Sequence, residues 1–102
     1  MARIIWTQRA ITDLNEIAEY IAFDNPAAAR KMASRVSSHV DQLEFHPFSG
    51  PVMPEKPRYD IRQIVEPPCR VFYRYDGETV LVLHVLRLER MLRISRLEDD
   101  DK

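Results

Sequence analysis

Residues 69–86 read CRVFYRYDGETVLVLHVL, and the fold turns on this stretch. Two runs rich in β-branched and aromatic residues, Cys69 to Tyr75 and Glu78 to Leu86, flank Asp76-Gly77, a strong two-residue turn signal. The pattern predicts an antiparallel hairpin. In its second strand Val80, Leu81, Val82, Leu83 and Val85 make both faces apolar, as in a central strand. In its first strand Val71, Tyr73 and Tyr75 alternate with Arg70, Phe72 and Arg74. One face is therefore apolar, and the other presents two arginines around an aromatic ring. Arg70 and Arg74, four residues apart, would share that face at a separation of about 13 Å.

Upstream, Pro67-Pro68 turns the chain, and Asp60 to Glu66 reads as another strand. Residues 47–60 hold four prolines and Gly50, too many for regular structure. Further back, Ala29, Met32, Val36, Val40 and Leu43 form one apolar face of a helix that ends near Phe45-His46-Pro47. Asn25 suits its cap and Pro26 its first turn. An earlier helix, opened by Thr7 or a neighbour, carries Ala10, Leu14, Ile17 and Ile21 as its stripe, with Asp13, Glu16 and Glu19 off it. Arg3 to Thr7 is a short opening strand, and Trp6 is expected to anchor it against the helices. Downstream, Leu88, Met91, Leu92 and Leu97 would suit a short last helix. The order is β-α-α-β-β-β with an optional C-terminal helix. This is an α+β fold, with a helical hairpin packed on one face of a mostly antiparallel sheet. Residues 1–96 read as one domain, and the acidic residues 97–102 as a disordered tail.

The chain has 102 residues, too few for a dinucleotide fold with a substrate domain or for an eight-stranded α/β barrel. Its net charge of −1 hides a gradient. Residues 56–96 carry 9 basic and 5 acidic groups, and arginine outnumbers lysine 12 to 3 over the whole chain. Arginine is the better fork for a carboxylate or phosphate. A single cysteine, Cys69, excludes an internal disulfide and a cysteine-based zinc site. No apolar run reaches the ~18 residues of a membrane span, and the N-terminus lacks a signal-peptide stretch. A cytoplasmic protein without metal or cofactor is the expectation.

These residues in this order resemble the ParE/RelE superfamily of bacterial toxins from type II toxin–antitoxin systems. The likeness runs from about residue 3 to residue 92. It is carried by Ile5-Trp6-Thr7, Ala10 and Asp13-Leu14, Ile17 and Tyr20-Ile21, Asp24-Asn25-Pro26 with Ala28-Ala29, and Pro47 and Gly50 with Pro54-Glu55. Ile61-Arg62, Arg70-Val71-Phe72-Tyr73-Arg74 and Val85-Leu86 complete it. The ParE branch fits best. The resemblance implies a toxin that stops bacterial growth unless a cognate antitoxin is bound. ParE-type members poison DNA gyrase, whereas RelE-type members cleave messenger RNA on the ribosome. The ending Arg87-Leu88-Glu89-Arg90-Met91-Leu92 departs from the small residues common after the last strand, and the acidic end is also unusual.

RNA cleavage without a metal needs a base for the 2′-hydroxyl, an acid for the leaving oxygen and cations for the phosphorane. His84 shares parity with Val80, Val82 and Leu86, so it reads as a hydrogen-bonded core residue. His39 and His46 look structural or exposed, Cys69 inert, and Tyr73 and Tyr75 core or groove wall. Glu55 is a conceivable base in the proline-rich loop. Arginines hold phosphate but shuttle protons poorly. No catalytic residue is therefore assigned, and a gyrase inhibitor that acts by binding is expected ahead of a ribosome-dependent endoribonuclease. Arg62, Arg70, Arg74, Arg87, Arg90 and Arg93 are the candidate contacts to target or partner. Phe72, Leu88, Met91 and Leu92 are the candidates for an antitoxin groove. The basic second half is the only support for direct DNA binding, and the two helices lack a helix-turn-helix pattern, so specific DNA binding by the chain alone is not expected.

Overall fold

The computed structural model describes residues 1–54 and 60–88. The predicted last helix, its Met91 and Leu92, the acidic tail, Arg90, Arg93 and Glu55 lie outside the described residues. The elements run β1 (Arg3–Trp6), α1 (Gln8–Asp24), α2 (Pro26–Asp41), a 3₁₀ turn (Gln42–Glu44), β2 (Arg62–Glu66), β3 (Cys69–Tyr75) and β4 (Thr79–Arg87). The four strands form one sheet in the order β1-β4-β3-β2. β4 is central, as its two apolar faces require. It pairs antiparallel with β3 and parallel with β1, whose return to the sheet is made by the two helices.

Each helix begins where a side chain satisfies a free backbone N–H. Thr7 accepts from the Ala10 N–H at 3.1 Å, and Asn25 accepts from the Ala28 N–H at 3.0 Å, with Pro26 in the first turn. Thr7 also donates its hydroxyl proton to the Val82 carbonyl at 2.8 Å, which ties the start of α1 to the sheet. The predicted stripes meet one sheet face. Ala10, Ile17, Met32, Val36, Val40 and Leu43 pack on Ile64, Cys69, Val71, Tyr73, Val80, Val82 and Val85. Ile4, Trp6, Leu14 and Ile21 close the margin of this core.

The loop before β2 is pinned from inside. The Tyr73 hydroxyl donates to the Pro47 carbonyl at 2.8 Å and accepts from the Gly50 N–H at 3.0 Å. Gly50 is there because the backbone passes too close for a side chain. A Cβ would sit 2.5 Å from the Gln63 carbonyl oxygen and 2.7 Å from the Tyr73 hydroxyl. At the hairpin tip Gly77 adopts φ 100°, which side chains rarely take. The Asp76 carboxylate accepts from the N–H groups of Glu78 and Thr79.

Candidate functional site

The helices cover one face of the sheet, and no described element packs on the other, called here the open face. Alternation along the strands puts Arg3 and Ile5 of β1, Leu81 of β4, Arg70, Phe72 and Arg74 of β3, and Gln63 and Val65 of β2 on the open face. Ile5 is 40% exposed and Val65 46%, Leu81 is half-buried, and Arg74 is exposed. The row expected from the sequence, two arginines around an aromatic, is therefore present. Arg70 lies over the Phe72 ring, 5.5 Å from guanidinium carbon to centroid, and donates through Nη2 to the Gln63 side-chain oxygen. Phe72 is only 5% exposed. Arg70 Nε is buried and has no acceptor among the described residues.

Arg62 does not join this row, although its strand is the neighbour expected. It pairs in register with Tyr73 and so shares the helix-facing side. Its Nη1 donates to the Gly50 carbonyl at 2.8 Å, and its guanidinium sits 5.0 Å from the Phe48 ring. Phe48 in turn meets Tyr75 edge-on at 5.1 Å. Arg62 is thus part of the clamp that holds the 47–51 loop. Leu88 continues the β3–β4 ladder by donating its N–H to the Pro68 carbonyl at 3.0 Å.

The expectation of a core His84 fails, and the reason is a β-bulge. Phe72 pairs with His84 but Tyr73 pairs with Val82, so Leu83 is an extra residue in β4. The bulge resets the alternation, and Val85 instead of His84 joins Val80 and Val82 in the core. The His84 side chain is 52% exposed. β1 stops opposite Val82, so no described strand pairs with the edge of β4 beyond it. Asp13 of α1, 11% exposed in its side chain, fills that gap. Its Oδ2 accepts from the Val85 N–H at 3.1 Å and lies 3.2 Å from His84 Nδ1. An ionised carboxylate only accepts, so Nδ1 is the ring donor in this contact.

Asp13 also walls a groove of about 190 Å³ between α1 and β4, with Glu16, Ile17, Tyr20, Val85, Leu86 and Arg87. The Arg87 guanidinium lies 4.3 Å from the Tyr20 ring centroid, a cation–π contact. The sequence did hold a signal for Asp13. It sits three residues after Ala10 and four before Ile17, so the 3.6 period puts it at the border of the buried stripe.

On the opposite margin, His39 and Arg35 of α2 meet Glu66 at 3.1 and 3.7 Å, so His39 is structural and half-buried. His46 is exposed. Cys69 is buried 3.7 Å from the Met32 sulfur, and burial pushes its thiol above the ordinary range, which suits an inert residue. Burial likewise raises the Tyr73 phenol. No cluster of three metal-ligating side chains occurs among the described residues, and no described helix is long and apolar enough to cross a membrane.

A two-helix hairpin on a four-stranded mixed sheet, with arginines on the face away from the helices, defines a small α+β protein. The family model for the ParE toxin of the type II toxin–antitoxin system parDE matches residues 4–92. The chain belongs to the ParE toxin family, within the ParE/RelE group of type II toxin–antitoxin toxins. Toxin RelE2 of Caulobacter vibrioides is 33% identical over 95 residues, spanning 92% of this chain and all of that protein. A putative toxin, Y4kP of Sinorhizobium fredii, is 46% identical over 48 residues, 47% of this chain and 50% of the relative. Among solved structures, the chromosomal ParDE system of P. aeruginosa matches with a TM-score of 0.67 at 23% identity, covering 85% of this chain and 96% of that one. The RelBE2 toxin–antitoxin complex of Mycobacterium tuberculosis matches with a TM-score of 0.54 at 22% identity, covering 84% and 96%. At those identities the structural matches establish the fold.

Proposed function

We propose that this toxin arrests bacterial growth by binding and poisoning DNA gyrase in the cytoplasm, and that a cognate antitoxin neutralises it. The single observation that favours the gyrase target is the ParE family match across residues 4–92. The open sheet face supports a binding role. Its exposed Ile5 and Val65 offer apolar area, and Arg74 is an exposed cation. An acidic, amphipathic antitoxin segment that orders on binding fits this surface. Arg87, and Arg90 and Arg93 beyond the described residues, remain the proposed contacts to the target. Induced synthesis in a bacterial host tests the reading. Growth arrest with a DNA-damage response, reversed by co-expression of the cognate antitoxin, is expected. Arrest with an immediate stop in translation and intact DNA would replace gyrase with the ribosome.

A second reading, a ribosome-dependent endoribonuclease, is favoured by two observations. The relative that matches along its whole length is named a RelE toxin. His84, expected in the core, instead stands half-exposed beside Asp13.

A further inference from the structure

The contacts proposed above leave the outer face of the helical hairpin without a role. Along the seam between α1 and α2 runs a groove of about 360 Å³, lined by Ala18, Glu19 and Ala22 of α1 and by Ala29, Arg30 and Ala33 of α2. Phe23 projects beside it, 92% exposed. Ile11, 40% exposed, continues the α1 side of the groove at helical spacing from Ala18 and Ala22. We propose that a second copy of this chain docks on this face, giving a two-fold dimer joined through the two hairpins.

Charge chooses both the occupant and its orientation. α1 carries Glu19 on this face and α2 carries Arg30 and Lys31, all exposed and none in an ion pair among the described residues. Glu19 lies six residues before Asn25, which joins the helices, and Arg30 lies five after it. At about 1.5 Å per residue, both stand roughly 7.5–9 Å from the turn along the helix axes. A two-fold axis along the seam, parallel to the helices, lays α1 of each copy on α2 of the other. Glu19 then meets the partner's Arg30, and Arg30 meets the partner's Glu19, the reciprocal pairing of an isologous contact. Phe23, nearer the turn, reaches the partner's α2 at its first residue, Pro26. An axis across the helices would instead set Glu19 against Glu19 and Arg30 against Arg30, which like-charge repulsion disfavours.

The size of the face sets the strength. A helix of 17 residues is about 25 Å long, and two packed side by side about 10 Å apart present roughly 500 Å² per copy. A total of about 1,000 Å² is the lower limit for specific association, so the dimer is reversible, with a dissociation constant of order micromolar. Ala18, Ala22, Ala29 and Ala33 let the helix pairs approach closely, and Phe23 supplies the large apolar side chain that the contact takes out of water. The sheet lies beyond the helices, so its open face stays uncovered. Each dimer therefore presents two open faces, and self-association does not compete with a partner bound there.

Sedimentation equilibrium on the full chain, purified free of antitoxin, tests this. Between about 1 and 300 µM the mean mass should rise from 12.0 kDa toward twice that value. Glu19→Arg alone and Arg30→Glu alone should each weaken self-association about tenfold or more, because each sets like charges together at two symmetric places. An equimolar mixture of these two variants should recover the wild-type affinity, since their charges are again opposed. Phe23→Ser should also weaken the dimer. All three positions are exposed, so circular dichroism should show the fold unchanged in every variant. A mass that stays at 12.0 kDa over this range overturns the proposal, as does a dimer whose affinity neither charge variant alters. A monomeric chain that loses antitoxin binding with Phe23→Ser overturns it too, and gives the face to the antitoxin.

Discussion

Tyr73→Phe is the sharpest structural perturbation, because one side-chain oxygen makes two hydrogen bonds to the loop before β2. Tyr73 is fully buried, and its hydroxyl both donates to the Pro47 carbonyl at 2.8 Å and accepts from the Gly50 N–H at 3.0 Å. Phenylalanine fills almost the same volume, so the change isolates the two hydrogen bonds from packing. Each backbone group left without a partner costs about 1–3 kcal/mol, less where the loop can shift and admit water. Gly50 is buried and Pro47 half-buried, so the pair together should cost about 2–3 kcal/mol. With a urea slope of roughly 1.5 kcal/mol/M for a domain of this size, the unfolding midpoint should fall by about 1.3–2 M with the slope unchanged. Urea titration followed by circular dichroism reads this directly. A midpoint within about 0.3 M of wild type would refute the reasoning, since it would mean that neither group depends on the phenol.

Gly50→Ala should also destabilise, by about 1–3 kcal/mol in the same assay, because the added Cβ meets the Gln63 backbone oxygen at 2.5 Å and that oxygen belongs to β2, which cannot readily shift. The Asp76 carboxyl is held below its ordinary range, first by the Thr79 N–H and then by the Glu78 N–H. A depressed value contributes stability above the carboxyl's unfolded value, lost as pH falls through the folded one. Asp76→Asn should thus differ most from wild type near neutral pH and converge with it in acid, and a constant difference across pH would contradict this. Reversing the exposed charge with Arg74→Glu should weaken binding of the cognate antitoxin about tenfold by titration calorimetry, with thermal stability nearly unchanged. Unaltered affinity would move the antitoxin to another surface.

The hairpin at residues 69–86 was readable because two independent signals, the alternation in β3 and the Asp76-Gly77 turn, agreed. The central place of β4 followed from its two apolar faces, and β1 and β3 do flank it. Both helices were readable from capping residues and stripes, and those stripes are the ones that form the core. The side of the sheet on which Arg62 lies was not readable, because a strand read one residue differently in register turns every side chain over. The bulge at Leu83 left no mark either. No glycine signals it, and the uninterrupted apolar run of β4 hides the change of parity. His84 was misplaced for that reason alone. Asp13 was visible at the border of its stripe, but its role depends on β1 ending opposite Val82, a tertiary fact that the α1 sequence does not carry.

Supercoiling by purified gyrase, titrated with purified toxin, tests the proposed target most directly. The account predicts progressive loss of supercoiled product, with cleaved DNA trapped on the enzyme, and recovery when the antitoxin is added in equal amount. Full supercoiling at saturating toxin would contradict it.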